Sequence, residues 1–132
     1  MNGNGSYINI ARKDLIAAKE MLRADMYNHA VRLCQQYVEK VFKECIHQKG
    51  KNENDMLLLH MHRLPRLAER CSEITNIKFT KLEIAFFREL TDYYFDTNYP
   101  GENYIEVSKA DALRAYDETM DFKNAHEDAL CL

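Results

Sequence analysis

The chain has 132 residues, 46% of them hydrophobic and 30% charged, with a formal net charge of −3. That is one ordinary soluble domain with enough apolar material for a core, and neither a disordered tail nor two domains. The missing basic excess argues against sequence-independent duplex binding. Four Gly and two Pro are too few for the turns of an all-β fold.

Residues 1–7 begin with a polar, Gly-rich stretch, and Met1 to Ser6 are expected to fray. In the first helix, Ile8, Ala11, Leu15, Ala18 and Leu22 recur three and four apart, while Lys13, Lys19 and Glu20 fall off that seam. A short break at Ala24 to Met26 leads to the strongest helix, Tyr27 to Gly50, and so tight a link favours antiparallel neighbours. Its apolar positions are Tyr27, Ala30, Val31, Cys34, Val38, Val41, Phe42, Cys45 and Ile46. Asp25 reads as its N-cap and Gly50 as a left-handed residue past its end. At 1.5 Å per residue this helix is about 30 Å long.

Lys51 to Asp55 reads as a polar loop, and Leu57 to Leu59 as the start of a strand or a buried turn. Pro65 opens a short helix with Leu64, Leu67, Ala68 and Cys71 inside, ending near Ile74. Thr80 and Glu83 form a capping box, with Phe79 and Ile84 as its hydrophobic staple. The inner face of the helix that follows reads as Leu82, Ala85, Phe86, Leu90, Tyr93 and Tyr94, stopping near Asp96. Thr97 to Val107 is a loop turning at Pro100-Gly101. Ser108, with Asp111 three residues on, caps the last helix, where Leu113, Tyr116 and Met120 face the core. Residues 126–132 read as a tail, so the domain spans residues 8–125. The sum is an all-α fold, a five-helix up-and-down bundle resembling a four-helix bundle.

Of the four cysteines, Cys34, Cys45 and Cys71 read as core thiols and Cys131 as a tail residue. Cys34 and Cys45 stand about 16 Å apart along one helix and cannot bridge. With no CxxC pair, no signal-like start and no apolar run long enough for a bilayer, the expected setting is a reducing cytoplasm, with no membrane. No metal or cofactor is expected. His60 and His62 lack partners in any ligand spacing, and a phosphate-cradling Gly loop cannot be written. His29 has no nucleophile beside it in the sequence. Two places carry more polarity than packing needs. One is the polar side of the central helix, Arg32, Gln35, Gln36, Glu39, Lys40 and Lys43, a candidate subunit interface or ligand groove. The other is the cluster Tyr93, Tyr94, Asn98, Tyr99 and Tyr104, whose rings can stack on a base and donate to phosphate.

Three motifs in order add a resemblance. Ala30-x-x-x-x-Gln35-Gln36-x-x-Glu39-Lys40-x-x-Lys43 is similar to the central-helix signature of HEPN domains, small α-helical domains of prokaryotes and higher eukaryotes. His62-x-Leu64-x-x-Leu67 resembles their His-x-Leu-x-x-Leu, and Tyr94-x-x-x-Asn98-Tyr99-Pro100 their tyrosine followed by Arg-Tyr-Pro. The likeness runs from about Ile8 to Phe122. It implies a five-helix bundle paired as a homodimer, in a family that includes toxin-like ribonucleases, companions of minimal nucleotidyltransferases and nucleotide-binding domains. The ribonuclease branch uses an arginine and, four to six residues on, a histidine. Here Asn98 takes the arginine's place and Asn103 to Ile105 fills the histidine window. Asn98 and Tyr104 donate hydrogen bonds but supply neither a fixed positive charge nor a near-neutral pKa. The resemblance therefore implies a non-catalytic module, binding nucleotide or nucleic acid through Tyr94, Asn98, Tyr99 and Tyr104 and acting with a nucleotidyltransferase. Two alternatives are a degenerate ribonuclease using His29 or His62, and a purely structural interaction protein.

Overall fold

The structure is a computed structural model and describes residues 5–132. Among the described residues it is all-α, with six helices rather than five: α1 (Tyr7–Arg23), α2 (Tyr27–Lys49), α3 (Glu53–Leu58), α4 (Leu64–Thr75), α5 (Lys81–Asp96) and α6 (Lys109–Cys131). The extra helix is α3, in the stretch expected to be a loop and a strand or turn. Of the segment expected to fray, residues 1–4 lie outside the described residues. Ser6 instead caps α1, its side chain accepting from the Asn9 N–H at 3.3 Å.

Helix α2 packs against all five others, and this central placement explains its burial. The whole predicted apolar stripe except Tyr27 is buried. So are Gln35, Tyr37, Glu39, Lys43 and Glu44, because neighbours cover α2 on nearly every side. At its heart Phe42 meets Phe79, Phe87 and Phe122 edge-on, with ring centroids 5.2–5.8 Å apart, a favoured aromatic geometry. The α1 seam is buried at Ile8, Ala11, Leu15 and Ala18.

Both expected caps of α2 differ. Met26 is the N-cap residue and supplies no side-chain bond. Asp25 sits in the left-handed region at φ 59°, closing the turn after α1, and its carboxylate accepts from the Tyr27 hydroxyl at 2.9 Å. Gly50 is extended, at φ −75° and ψ 141°. What requires glycine there is room, since a Cβ would stand 2.6 Å from both the Asp55 carboxylate and the Ile46 carbonyl. That carboxylate accepts from the Asn52 N–H at 2.9 Å and from Arg70 at 2.7 and 3.2 Å, tying the α2–α3 turn to α4.

The capping box on α5 is present as expected, with Glu83 N–H to Thr80 at 3.1 Å and Thr80 N–H to Glu83 at 2.9 Å. Ser108 caps α6 through the Asp111 N–H at 3.1 Å. Two core faces need correction. On α5, Phe87 and Thr91 are buried, whereas Leu82 and Ala85 are exposed. On α6, Ala112, Ala115, Thr119 and Phe122 are buried, whereas Leu113 is exposed. The expected tail is also helical: α6 continues through Cys131, and both Leu130 and Cys131 are buried. Glu127, inside that former tail, is a buried carboxylate joining three helices. It accepts from Tyr37 of α2 at 2.9 Å, Arg12 of α1 at 3.3 Å and Lys123 at 3.0 Å.

Candidate functional site

The polar side of α2 is buried or half-buried, and its side chains are held by partners. Buried Glu39 accepts from Gln35 at 3.0 Å and Lys43 at 2.9 Å, and its Oε1 lies 3.0 Å from His62 Nδ1. Gln35 also donates to the His62 carbonyl at 3.1 Å and accepts from Gln36 at 2.7 Å. Gln36 in turn accepts from Lys40 at 3.2 Å, and Lys40 pairs with Asp14 of α1. Five of the six candidate groove residues thus form one hydrogen-bonded chain running from α1 to the α3–α4 connection. Such a chain locks each side chain's orientation, because a buried polar group cannot give up its partner cheaply.

The sixth, Arg32, reaches across to α5. Its Nη1 donates to the Thr97 carbonyl at 2.5 Å. Thr97 ends α5, so the guanidinium satisfies an open carbonyl at the negative pole of the helix dipole. One nitrogen is spent there, and the rest of the fork stays with the site. Sequence reasoning expected no guanidinium at this end of the bundle, because the family's arginine position is Asn98. The structure corrects that: Arg32 arrives from another helix, 65 residues away from the carbonyl it holds.

Arg32, Gln36, Tyr94 and Asn98 line one depression of about 290 Å³ together with Met21, His29 and Leu33. Two of the predicted tyrosines do not line it. Tyr99 is 63% exposed. The Tyr104 hydroxyl accepts from Asn28 at 3.3 Å and helps to anchor the loop. Asn28, which sequence reasoning gave no role, pins that loop. Its amide donates to the Ile105 carbonyl at 3.1 Å and its carbonyl accepts from the Val107 N–H at 2.8 Å. An Asn in the first turn of a helix is the only sequence signal of this role, and it is a weak one.

Tyr94 links the depression to the buried chain. Its ring stacks on His62, with centroids 5.2 Å apart and planes 25° from parallel. Burial raises the Tyr94 phenol above its ordinary pKa, and the Glu39 carboxylate and Tyr99 add to the rise, so it stays a neutral donor near pH 7. A carboxylate only accepts, so His62 Nδ1 carries the hydrogen toward Glu39, which fixes the ring. The His62 side chain is 45% exposed, and His60 is exposed. Among the described residues no group of three or more His, Cys, Asp or Glu is gathered to hold a metal. Among the described residues no helix is long and apolar enough to cross a membrane. Together the residues can bind an anion at Arg32, offer amide donors from Gln36 and Asn98, and present an aromatic face at Tyr94.

A family model described as HEPN domain matches residues 5–128. No curated protein and no solved structure shows a significant match.

Proposed function

Because the chain belongs to the HEPN domain family, we propose that it is a HEPN binding module that takes a nucleotide or the end of an RNA at the Arg32–Asn98 depression. The observation that carries this reading is the convergence of Arg32, Gln36, Tyr94 and Asn98 on one hollow. A guanidinium suits phosphate, amides suit base edges, and a phenol ring suits stacking. Exposed Tyr99, next to Asn98 in the chain, offers a second ring for stacking under this reading. The family likeness further supports a homodimer working beside a minimal nucleotidyltransferase.

The test is thermal unfolding against a panel of nucleoside mono- and triphosphates and short RNAs, with light scattering for the dimer. A binder present at a hundred times its Kd raises stability by about 2.7 kcal/mol. The shift should vanish in Arg32→Ala. No shift with any ligand at millimolar concentration removes the nucleotide part and leaves a helical interaction protein.

A second reading, RNA cleavage, gains one observation. The buried Glu39 orients His62 against Tyr94, giving a proton carrier at the same end of the bundle as Arg32. An oriented imidazole can take the 2′-hydroxyl proton while a guanidinium stabilises the phosphorane-like charge. Incubation with labelled RNA separates the readings. Cleavage lost in both His62→Ala and Arg32→Ala, with melting temperature kept, would replace the binding module by a nuclease.

A further inference from the structure

Helix α6 is flanked toward α5 by an acidic groove and toward α1 by a largely basic surface, where Arg12, Ile16, Lys19 and Lys123 edge a depression. On the α5 side, where the two helix backbones approach less closely than α1 and α6 do, a groove of about 410 Å³ is floored by Phe86 and Phe122. It is rimmed by Glu83, Glu118 and Asp121. Leu82, 83% exposed, stands at its mouth. Asp121 makes no ion pair among the described residues and Glu118 has only Arg114 at 3.5 Å, while Glu83 is held by His126 and by the Thr80 N–H at 2.9 Å. Burial in the groove, then repulsion from Glu89, lifts the Glu118 carboxyl above its ordinary pKa, and Asp121 adds to it.

On the other flank, α1 turns outward a ridge of Arg12, Lys13, Ile16 and Lys19, all exposed. Ile16 is 67% exposed. Lys13 and Lys19 have no ion-pair partner among the described residues, and Arg12 shares Glu127 with Lys123. The three residues Lys13, Ile16 and Lys19 are spaced by threes, so they form one stripe with the apolar knob between two ammonium groups, about 9 Å from end to end. A lone exposed Ile or Leu needs no explanation. An apolar knob between lysines, and on the same molecule an apolar slot between carboxylates, is a match of shape and sign.

We propose that the α1 ridge of one copy docks in the α5–α6 groove of another, with Ile16 over Phe86 and Phe122 and Lys13 and Lys19 against Asp121 and Glu118. The ridge and the groove flank α6 on opposite sides, so one chain cannot satisfy both. The contact is therefore head-to-tail: each copy offers a ridge to one neighbour and a groove to the next, and association is open-ended unless the rotation closes a ring. This surface is separate from the Arg32–Asn98 depression and adds to any two-fold pairing.

The experiment is sedimentation velocity on the full chain across a concentration series, at low and high salt. Wild type should grow in mean mass with concentration, and high salt should reverse the growth by screening the charges. Ile16→Glu spoils only the ridge and Asp121→Lys only the groove. Both residues are exposed, so circular dichroism melting should match wild type. Each variant alone should stop at the smallest species wild type shows on dilution. An equimolar mixture of the two should regain mass above either alone, because one supplies a sound ridge and the other a sound groove. Unchanged growth in either variant, a mixture that stays at the smallest species, or no growth of wild type at any concentration would each overturn the proposal.

Discussion

Glu39 and Glu127 are both carboxylates taken out of water, and each is within reach of three donors. Their surroundings differ in where the opposite charge sits. Glu127 draws on Arg12 and Lys123, whose side chains are 47% and 31% exposed, and on the buried Tyr37 hydroxyl. Remove the carboxylate and both cations relax into water. Glu39 draws on Lys43, only 6% exposed, on Gln35 from its own helix, and on His62, which opens toward solvent. Its cation has nowhere to go. Glu127 is thus a staple between helices, while Glu39 is the buried end of a line leading to the candidate site. A buried carboxylate is costly wherever it lies, and here one stabilises packing while the other orients a side chain.

The largest effect follows from that difference. Lys43→Met strands Glu39 inside α2 and should cost about 3–5 kcal/mol in urea unfolding, whereas adding Glu39→Gln to it should restore a good part. If Lys43→Met costs no more than removal of Glu127, the interior line is no more than another staple.

Glu127→Ala comes next, at about 1–3 kcal/mol near pH 7, because the Tyr37 hydroxyl is left buried without an acceptor. This variant also carries a pH signature. Burial pushes the Glu127 carboxyl up, but hydrogen bonds from Lys123 and Tyr37 and the nearby Lys123 charge outweigh it, so its folded pKa lies below the ordinary value. A depressed carboxylate contributes its full stability above the unfolded pKa of about 4.3 and loses it as pH falls through the lower folded value. The advantage of wild type over Glu127→Ala should therefore narrow as pH falls below about 4.3. A gap that stays constant on acidification would mean the carboxylate is not held ionised by these partners.

Arg32→Ala is smaller in stability and larger in consequence. It removes one bond to the last carbonyl of α5 and should cost about 1 kcal/mol. It should also abolish any nucleotide-induced shift, which Tyr104→Phe, acting in the loop anchor, should keep. Equal loss of binding in both variants would move the site from the depression to the loop.

What the sequence reveals here, and what it hides, follows from the range of each interaction. Thr80 with Glu83, Ser108 with Asp111, Pro65, and the Ile8–Ala18 seam were legible because each depends on residues within about two turns. Helix α3 has six residues, too few to show a period, and its Leu57 points outward. The last turns of α6 read as polar, since Glu127 is a charge admitted indoors by Tyr37, 90 residues distant, and Arg12, 115 residues distant, together with Lys123. Half of the candidate site was legible, because Tyr94, Asn98, Arg32 and Gln36 were each singled out. That Arg32 and Asn98 belong together was not, because the bond that joins their elements spans α2 to the end of α5 and leaves no local trace.

The smallest effect checks the same point on α6. Periodicity puts Leu113 in the core, yet it is 42% exposed while Thr119 is fully buried. The Thr119 hydroxyl survives there because it donates to the Ala115 carbonyl at 2.7 Å, a bond within its own helix. Leu113→Gln should therefore shift stability by less than about 0.5 kcal/mol. Thr119→Val, nearly the same shape without the hydroxyl, should be tolerated at about that level too, since donor and acceptor requirements are removed together. A loss of about 2 kcal/mol from Leu113→Gln, the size expected for a core leucine, would show that this face of α6 is covered in solution, and sedimentation of the same variant would tell whether a second copy is what covers it.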